Sequence, residues 1–200
     1  MKVITPLQPF TPMKIRKPKI SDVIFVVFIA LLLIPQTRTP IQVAVNKLKV
    51  AVWSPSISDT EDQEQVAPFD YAVQELNGTP KRIAIGQGKV TFLSYWATWC
   101  PPCIAELPGI QELYTDYGDR IDFVLVTQEE TEKVQRFITK KGYDLPVYIP
   151  QMQVPELLQS NSLPTNYIID EKGNIIIKET GAADWNSAKV RTLLDGLLLN

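Results

Sequence analysis

The two cysteines of the chain, Cys100 and Cys103, lie two residues apart where a strand pattern gives way to a helical one. An apolar run over residues 90–96 precedes them, and apolar residues at three- and four-residue spacing follow them. A strand that leads into a helix through Cys-Pro-Pro-Cys is typical of a dithiol/disulfide exchange site. We therefore predict that this pair is redox-active.

Other roles for the cysteine pair fit the composition poorly. A structural zinc site needs four ligands, usually Cys and His, and the chain has two Cys and no His. A purely structural disulfide across so short a loop would remove little chain entropy. We therefore expect no bound metal and no cofactor.

Charge is distributed unevenly along the chain. Residues 1–35 carry five Lys or Arg against one acid, whereas the remainder carries fifteen against twenty-one. The resulting net charge of −6 on the remainder, without a basic stripe, argues against nucleic-acid binding.

An unbroken apolar run covers residues 23–34. Shortly before it lie Lys14, Arg16, Lys17 and Lys19. By the positive-inside rule the N-terminus stays in the cytoplasm and everything after Pro35 is exported. The run is short for a spanning helix, which needs about 20 residues, and its length also suits a cleaved signal peptide. A long preceding region and the lack of an A-x-A-like cleavage site favour an uncleaved anchor over a cleaved signal or a buried core helix.

These patterns predict four segments along the chain. They are a basic cytoplasmic tail (1–19), a transmembrane signal-anchor (20–35), an extracytoplasmic linker (36–65) and a globular domain (66–200). Within the linker, apolar residues alternate with period two around Asn46, so residues 41–52 form either a short hairpin or edge strand, or an extended chain. Residues 54–65 are polar and predict a flexible spacer.

The globular part alternates strands with helices from Val66 onward, as βαβ followed by ββα. This order predicts a central sheet with helices on both faces. The predicted strands cover 71–76 and 82–85, joined at Asn77-Gly78, then 90–96, 121–126, 147–149, 166–169 and 175–178. One predicted helix follows the cysteines and continues to Tyr117. Two others cover 130–141 and 186–199, and a helical turn is predicted at 154–159.

The cysteine region resembles a known family. Residues 92–108 read FLSYWATWCPPCIAELP. This stretch is similar to thioredoxin-like domains, and more closely to the membrane-tethered TlpA/ResA/CcmG-type thiol:disulfide oxidoreductases linked to cytochrome c maturation. The resemblance covers residues 66–200. It implies an α/β thioredoxin-like fold, a central mixed sheet flanked by helices, here preceded by the N-terminal transmembrane helix.

The position of the cysteines assigns them different roles. Cys100 lies just before the helix, where the partial positive charge of the helix N-terminus favours a thiolate, so we expect an exposed attacking nucleophile. Cys103, one turn inside and more shielded, would resolve the mixed disulfide. Neither Pro101 nor Pro102 can donate a backbone N–H to a thiolate, which favours a reductant over a strong oxidant.

Three further residues are candidates for supporting roles. In the family, a glutamate at the place of Glu106 lies near the cysteines and tunes their proton traffic; without the resemblance it is an ordinary surface residue. Many thioredoxins have a buried aspartate where this chain has Ser94. The resemblance also places the family's cis-proline at Pro164, which would present backbone groups to a substrate strand. We expect Trp99 to be partly exposed beside Cys100, whereas Trp96, Tyr167 and Trp185 are expected to pack in the core.

The function these observations indicate is a membrane-anchored protein-disulfide reductase, single-pass, with its domain on the extracytoplasmic side. Its expected partners are disulfide-bearing exported proteins, apocytochrome c among them, and an upstream membrane thiol that donates electrons. Two alternatives stay open. One is a disulfide oxidase or isomerase of protein folding, with the opposite electron flow, and the other is a non-catalytic thioredoxin-like binding module.

Overall fold

The computed structural model describes residues 19–33, 35–59 and 63–199. The chain divides into two compact units, Met1–Arg38 and Thr39–Asn200. The expected basic tail, apart from Lys19, lies outside the described residues.

The apolar run forms helix α1 (Ile20–Leu33), which has 14 residues. Among the described residues, no helix combines the length and the hydrophobicity that crossing a membrane requires.

The next element is helix α2 (Pro35–Val50), with Pro40 inside it. The hairpin, edge-strand and extended-chain alternatives for residues 41–52 are therefore wrong, since residues 41–50 are helical. The physical reason is that Ile41, Val45 and Leu48 follow one another at four- and three-residue spacing, so the same apolar residues also fit one face of a helix.

The described residues form a seven-stranded mixed sheet in the order β2-β1-β5-β4-β3-β6-β7. Strands β3, β4 and β5 run parallel to one another, while β1, β2, β6 and β7 join by antiparallel pairing. The strands are β1 (Phe69–Glu75), β2 (Pro80–Ile85), β3 (Thr91–Tyr95), β4 (Asp122–Val126), β5 (Val147–Pro150), β6 (Thr165–Ile169) and β7 (Ile175–Thr180). The predicted strands of the globular part are thereby confirmed.

Three helices pack with the sheet: α3 (Pro101–Tyr117), α4 (Thr131–Lys141) and α5 (Ala188–Leu198). All three contribute to one apolar cluster, through residues such as Leu107, Val134 and Val190. The second cluster consists mainly of strand residues, with Leu158 from a short 3-10 helix (Glu156–Leu158). The expected mixed sheet flanked by helices is confirmed, but α3, α4 and α5 all contribute to one cluster, and among the described helices only the short 3-10 helix contributes to the other. The connections β3-α3-β4 and β4-α4-β5 step the same way across the sheet, so right-handed crossovers place both helices on one face.

The segment before the sheet is hydrogen-bonded to β7 and to the turn before it. Ser58 N–H donates to Ile176 O over 2.9 Å, and Ile175 N–H donates to Glu64 O over 2.8 Å. Pro55 in the same segment is buried. The described parts of the segment at 54–65 therefore lie against the domain, in contrast to the expected flexible spacer.

Candidate functional site

The two cysteines form a disulfide at the N-terminus of α3, with their Cα atoms 5.3 Å apart. Cys100 is the N-cap residue, in extended backbone conformation, and Pro101 is the first helical residue. Proline suits this position because its missing N–H would have no partner within the helix. The first available amide, Cys103 N–H, donates to Cys100 Sγ over 3.3 Å. The helix N-terminus therefore directs one backbone donor at the sulfur of Cys100.

The exposure of the cysteines differs from expectation. Cys100 is only 3% exposed and Cys103 is fully buried, so Cys103 is the more shielded of the two. The expectation that Cys100 is exposed is wrong for this disulfide form, because its side chain belongs to the apolar cluster that contains Trp96. Trp99 is 62% exposed, as expected, so the accessible surface beside the disulfide is an indole ring.

Strand pairing brings the proline loop to the end of β3. Tyr95, the last residue of β3, pairs with Thr165, the first residue of β6. The preceding Leu163-Pro164 peptide bond is cis, as predicted. Gly181 N–H donates to Pro164 O over 2.9 Å, which joins this loop to the chain after β7.

Glu106 is a buried carboxyl one turn beyond Cys103 on α3, with 1% exposure. It accepts hydrogen bonds from Asn166 Nδ2 at 2.9 Å, Trp185 Nε1 at 3.2 Å and Ala183 N–H at 3.4 Å. Burial raises the pKa of Glu106 to about 8, although these hydrogen bonds oppose the shift. This carboxyl therefore titrates close to neutral pH, and its interpretation as a surface glutamate is wrong.

The partners of Glu106 are site residues that sequence reasoning missed. Trp185 was expected to be a packing residue, and it does pack edge-on against Phe92, with ring centroids 5.0 Å apart. Its indole N–H is nevertheless directed at the carboxyl. Asn166 could have been noticed in the sequence, because it is an amide side chain directly before the apolar residues of β6. No residue near Trp185 in the sequence indicates its hydrogen bond to Glu106.

Ser94 and Asn166 face each other across the β3–β6 pair. Ser94 is fully buried, and its hydroxyl has no hydrogen-bond partner among the described residues. Because Asn166 donates to Glu106, the carboxyl from α3 interacts with the strand residue directly opposite Ser94. The carboxyl beside this strand position therefore comes from α3, while the strand itself has Ser94.

A second carboxylate holds the loop before Cys100. Glu129, between β4 and α4, accepts from both the backbone N–H and the hydroxyl of Thr98, the latter at 2.8 Å. Burial would raise the pKa of Glu129, but hydrogen bonds from Lys133 and Thr98 outweigh it and hold the pKa below its usual value. The charged carboxylate therefore fixes the loop two residues before the disulfide.

A cavity of about 760 Å³ opens beside this loop. Its described lining contains aromatic and amide side chains but no Lys or Arg. Among the lining residues are Tyr71, Tyr95, Trp96, Trp99, Met152, Gln159 and Leu163. Because Trp99 and Leu163 both contribute, the cavity adjoins the disulfide loop and the cis-proline loop together.

The mixed sheet and the helix-capping disulfide define a thioredoxin-like protein. Residues 63–195 match the family model described as Redoxin, and the chain belongs to that family. This agrees with the resemblance found in the sequence.

Curated relatives support the same class. The chain is 32% identical over 115 residues to the thiol-disulfide oxidoreductase ResA of Halalkalibacterium halodurans, which covers 56% of this chain and 65% of that protein. It is 35% identical over 115 residues to the thioredoxin-like protein YneN of Bacillus subtilis, covering 56% of this chain and 67% of that protein. The alignment with ResA thus spans less than two thirds of its length.

A solved structure is similar over the same region. The crystal structure of StoA from Bacillus subtilis superimposes with a TM-score of 0.50 and 25% identity, covering 64% of this chain and 96% of that one.

Proposed function

We propose that the chain is a membrane-anchored thiol-disulfide oxidoreductase that reduces disulfides in exported proteins. The observation that carries the proposal is the Cys100–Cys103 disulfide at the N-terminus of α3. Two further features support it: the buried carboxyl of Glu106 one turn away, and the cavity that adjoins the disulfide loop.

The cysteine chemistry balances as a two-electron exchange. In the dithiol form, the Cys100 thiolate attacks one sulfur of a substrate disulfide, and the other substrate sulfur leaves as a thiolate that takes up a proton. Cys103, after losing its proton, then attacks Cys100 Sγ in the mixed disulfide and releases the second substrate thiol. The substrate is reduced to a dithiol, and the protein is oxidised to the disulfide form described above.

Glu106 is the candidate acceptor for the proton of Cys103. With a pKa of about 8, its carboxyl gains or loses a proton near neutral pH. A base is most effective when its pKa lies near the working pH. Its hydrogen bonds to Asn166 and Trp185 would hold the carboxyl in place while its charge changes.

The donors around Cys100 support the proposed direction of electron flow. Pro101 and Pro102 supply no N–H, so the donor that reaches Cys100 Sγ is the Cys103 amide at 3.3 Å. Weak stabilisation of the thiolate makes the dithiol the stronger reductant. A reductant outside the cytoplasm requires a supply of electrons, for which we propose an upstream membrane thiol.

The substrate side of the proposal is supported by the cavity. Its lining of aromatic and amide side chains, with the carboxylate of Glu129, suits an extended peptide segment that carries a cysteine rather than a small anionic thiol. Exported proteins with disulfides, including apocytochrome c, belong to this class. ResA, the relative that shares 32% identity, is itself named as a thiol-disulfide oxidoreductase.

The location we propose is the extracytoplasmic side of the cell membrane, with a single-pass N-terminal anchor. The apolar run at residues 23–34 and the basic residues before it support this proposal. Helix α1 covers most of that run, and its described side chains are apolar apart from Ser21 and Asp22.

The test is to trap substrates with the Cys103→Ser variant in cells, which should accumulate mixed disulfides through Cys100. The matched Cys100→Ser variant keeps one thiol but should trap far less. Equal trapping by both variants would count against the assigned roles. Equilibration of the wild-type pair near the potential of a strong oxidant, about −120 mV, would favour the oxidase alternative instead.

A further inference from the structure

Helix α2 carries an exposed apolar stripe. Ile41, Val45 and Leu48 follow one another at four- and three-residue spacing, and Val52 in the next turn continues the row. Their exposed fractions rise along the row from 39% through 60% and 72% to 84%. Single exposed apolar residues are ordinary, but three on one face of α2, with Val52 just beyond its end, form a contiguous surface.

The charge of α2 is opposite to that of the domain that follows it. The helix contains Arg38, Lys47 and Lys49 and no acidic residue. Residues 51–200 carry twelve Lys or Arg against twenty-one Asp or Glu. At about 100° per residue, Lys47 and Lys49 lie on opposite sides of the stripe. An apolar stripe with a lysine along each side is typical of a helix that lies on an anionic membrane surface.

The C-terminal end of α2 is tied to the domain. Asp184 N–H donates to Trp53 O over 2.8 Å, and Trp53 Nε1 donates to Glu179 over 3.3 Å. Val43 and Val50, on the other side of the helix, are half-buried. Trp53 itself is half-exposed, and indole rings favour the membrane–water boundary. The stripe is therefore held at a fixed position on the domain surface.

We propose that this stripe binds an anionic lipid surface, with the four apolar side chains below the headgroups and Lys47 and Lys49 at the level of the phosphates. The inference rests on the membrane anchoring proposed above and not on the redox activity. A second copy of the chain fits less well, because two positively charged stripes would repel each other.

The experiment places an environment-sensitive fluorophore on the stripe. In a Cys100→Ser, Cys103→Ser background, Leu48→Cys is labelled with a nitrobenzoxadiazole dye, and the full chain is reconstituted into vesicles of equal parts phosphatidylcholine and phosphatidylglycerol. A label at Lys140→Cys, on an exposed residue of α4, is the matched control. Flotation of the vesicles reports anchoring, and quenching by a lipid-borne nitroxide reports whether the label lies in the lipid.

We expect strong quenching at position 48 and little at position 140. We also expect the Lys47→Glu, Lys49→Glu variant to float as before but to lose most of its quenching at position 48. Absence of quenching at 48 would overturn the proposal, and so would undiminished quenching in the charge-reversed variant, since tethering alone would explain it. If the emission of the dye at position 48 shifted to the blue without lipid, and more so at higher protein concentration, the stripe would mediate self-association and the proposal would be overturned. A chain that does not float would overturn both this proposal and the anchoring.

Discussion

Trp185 donates its indole N–H to the buried carboxyl of Glu106 over 3.2 Å, across 79 residues of sequence. The contact joins the segment before α5 to the helix that carries both cysteines. Ala183, two residues earlier, donates its amide to the same carboxyl. The environment of Glu106 is thus set largely by the chain after β7, where Gly181 also holds the proline loop.

The raised pKa of Glu106 predicts an unusual pH dependence of stability. Because the folded protein keeps this proton while the unfolded chain loses it, stability should fall as pH rises from about 4.5 to about 8. The slope from this group is about 1.4 kcal/mol per pH unit at most. Chemical denaturation of the disulfide form across this range should show the slope, and Glu106→Gln should flatten it. The exposed Glu156→Gln is the control, and an equal slope in wild type and Glu106→Gln would contradict the prediction.

Removal of the Trp185 donor should raise the pKa of Glu106 further, because that hydrogen bond favours the charged carboxylate. In Trp185→Phe the ring that packs against Phe92 is kept in part, and the N–H is lost. We expect the midpoint of the pH–stability profile to move upward, with a loss of about 1–3 kcal/mol in unfolding free energy. Trp99→Phe, which alters an exposed indole, should leave the midpoint unchanged. If Trp185→Phe and Trp99→Phe had the same pH–stability midpoint, the role of Trp185 would be packing alone, without an effect on the pKa of Glu106.

The bond between Glu129 and Thr98 predicts an acid-sensitive active-site loop. The lowered pKa of Glu129 means that its stabilising contribution is present above the usual glutamate pKa and is lost as pH falls through the lowered value. Glu129→Gln should lower the unfolding free energy at neutral pH by about 1–3 kcal/mol and slow the thiol exchange of Cys100. The neighbouring exposed Glu130→Gln should do neither. Wild-type exchange rates in Glu129→Gln would show that the contact does not position the loop.

Gly173 is a position where space and backbone conformation both require glycine. Its φ is +90°, and an added Cβ would lie 2.3 Å from the carbonyl oxygen of Val66. Gly88 has nearly the same φ, +88°, but open space around it. We expect Gly88→Ala to cost about 1 kcal/mol from the backbone alone and Gly173→Ala to cost clearly more. Thermal unfolding of the two variants measures the difference, and equal losses would contradict the steric argument.

The strand and helix order of the domain was predictable because the hydrophobic period changes at the cysteines and turn residues mark the other boundaries. Asn77-Gly78 joins two paired strands, and Gly142 ends α4 in a left-handed conformation, as their residue types suggest. The helix over 35–50 was not predictable in the same way. Its apolar residues satisfy a strand period and a helix period together, so periodicity alone does not decide between the two.

The site was predictable where its residues are neighbours in sequence and not where they are distant. Cys100 and Cys103 are identified by spacing alone, and the disulfide follows. The burial of Cys100 depends instead on the cluster around Trp96, which forms only in the fold. Similarly, Asn166 is 60 residues from Glu106, so the packing of α3 against the sheet, rather than any local motif, brings them together.

The segment at 54–65, which pairs with β7, also affects whether this edge of the sheet can bind other chains. Strand β7 lies at the end of the sheet and contains three successive isoleucines, Ile175 to Ile177. An uncovered edge strand of this kind offers its backbone groups to any other extended chain. Here Ser58 and Glu64 occupy two of those groups, and an isolated bridge from Gln65 to Asn174 continues the row. The described parts of the segment at 54–65 therefore cover the outer edge of β7, and cleavage within this segment would expose backbone groups that can pair with other extended chains.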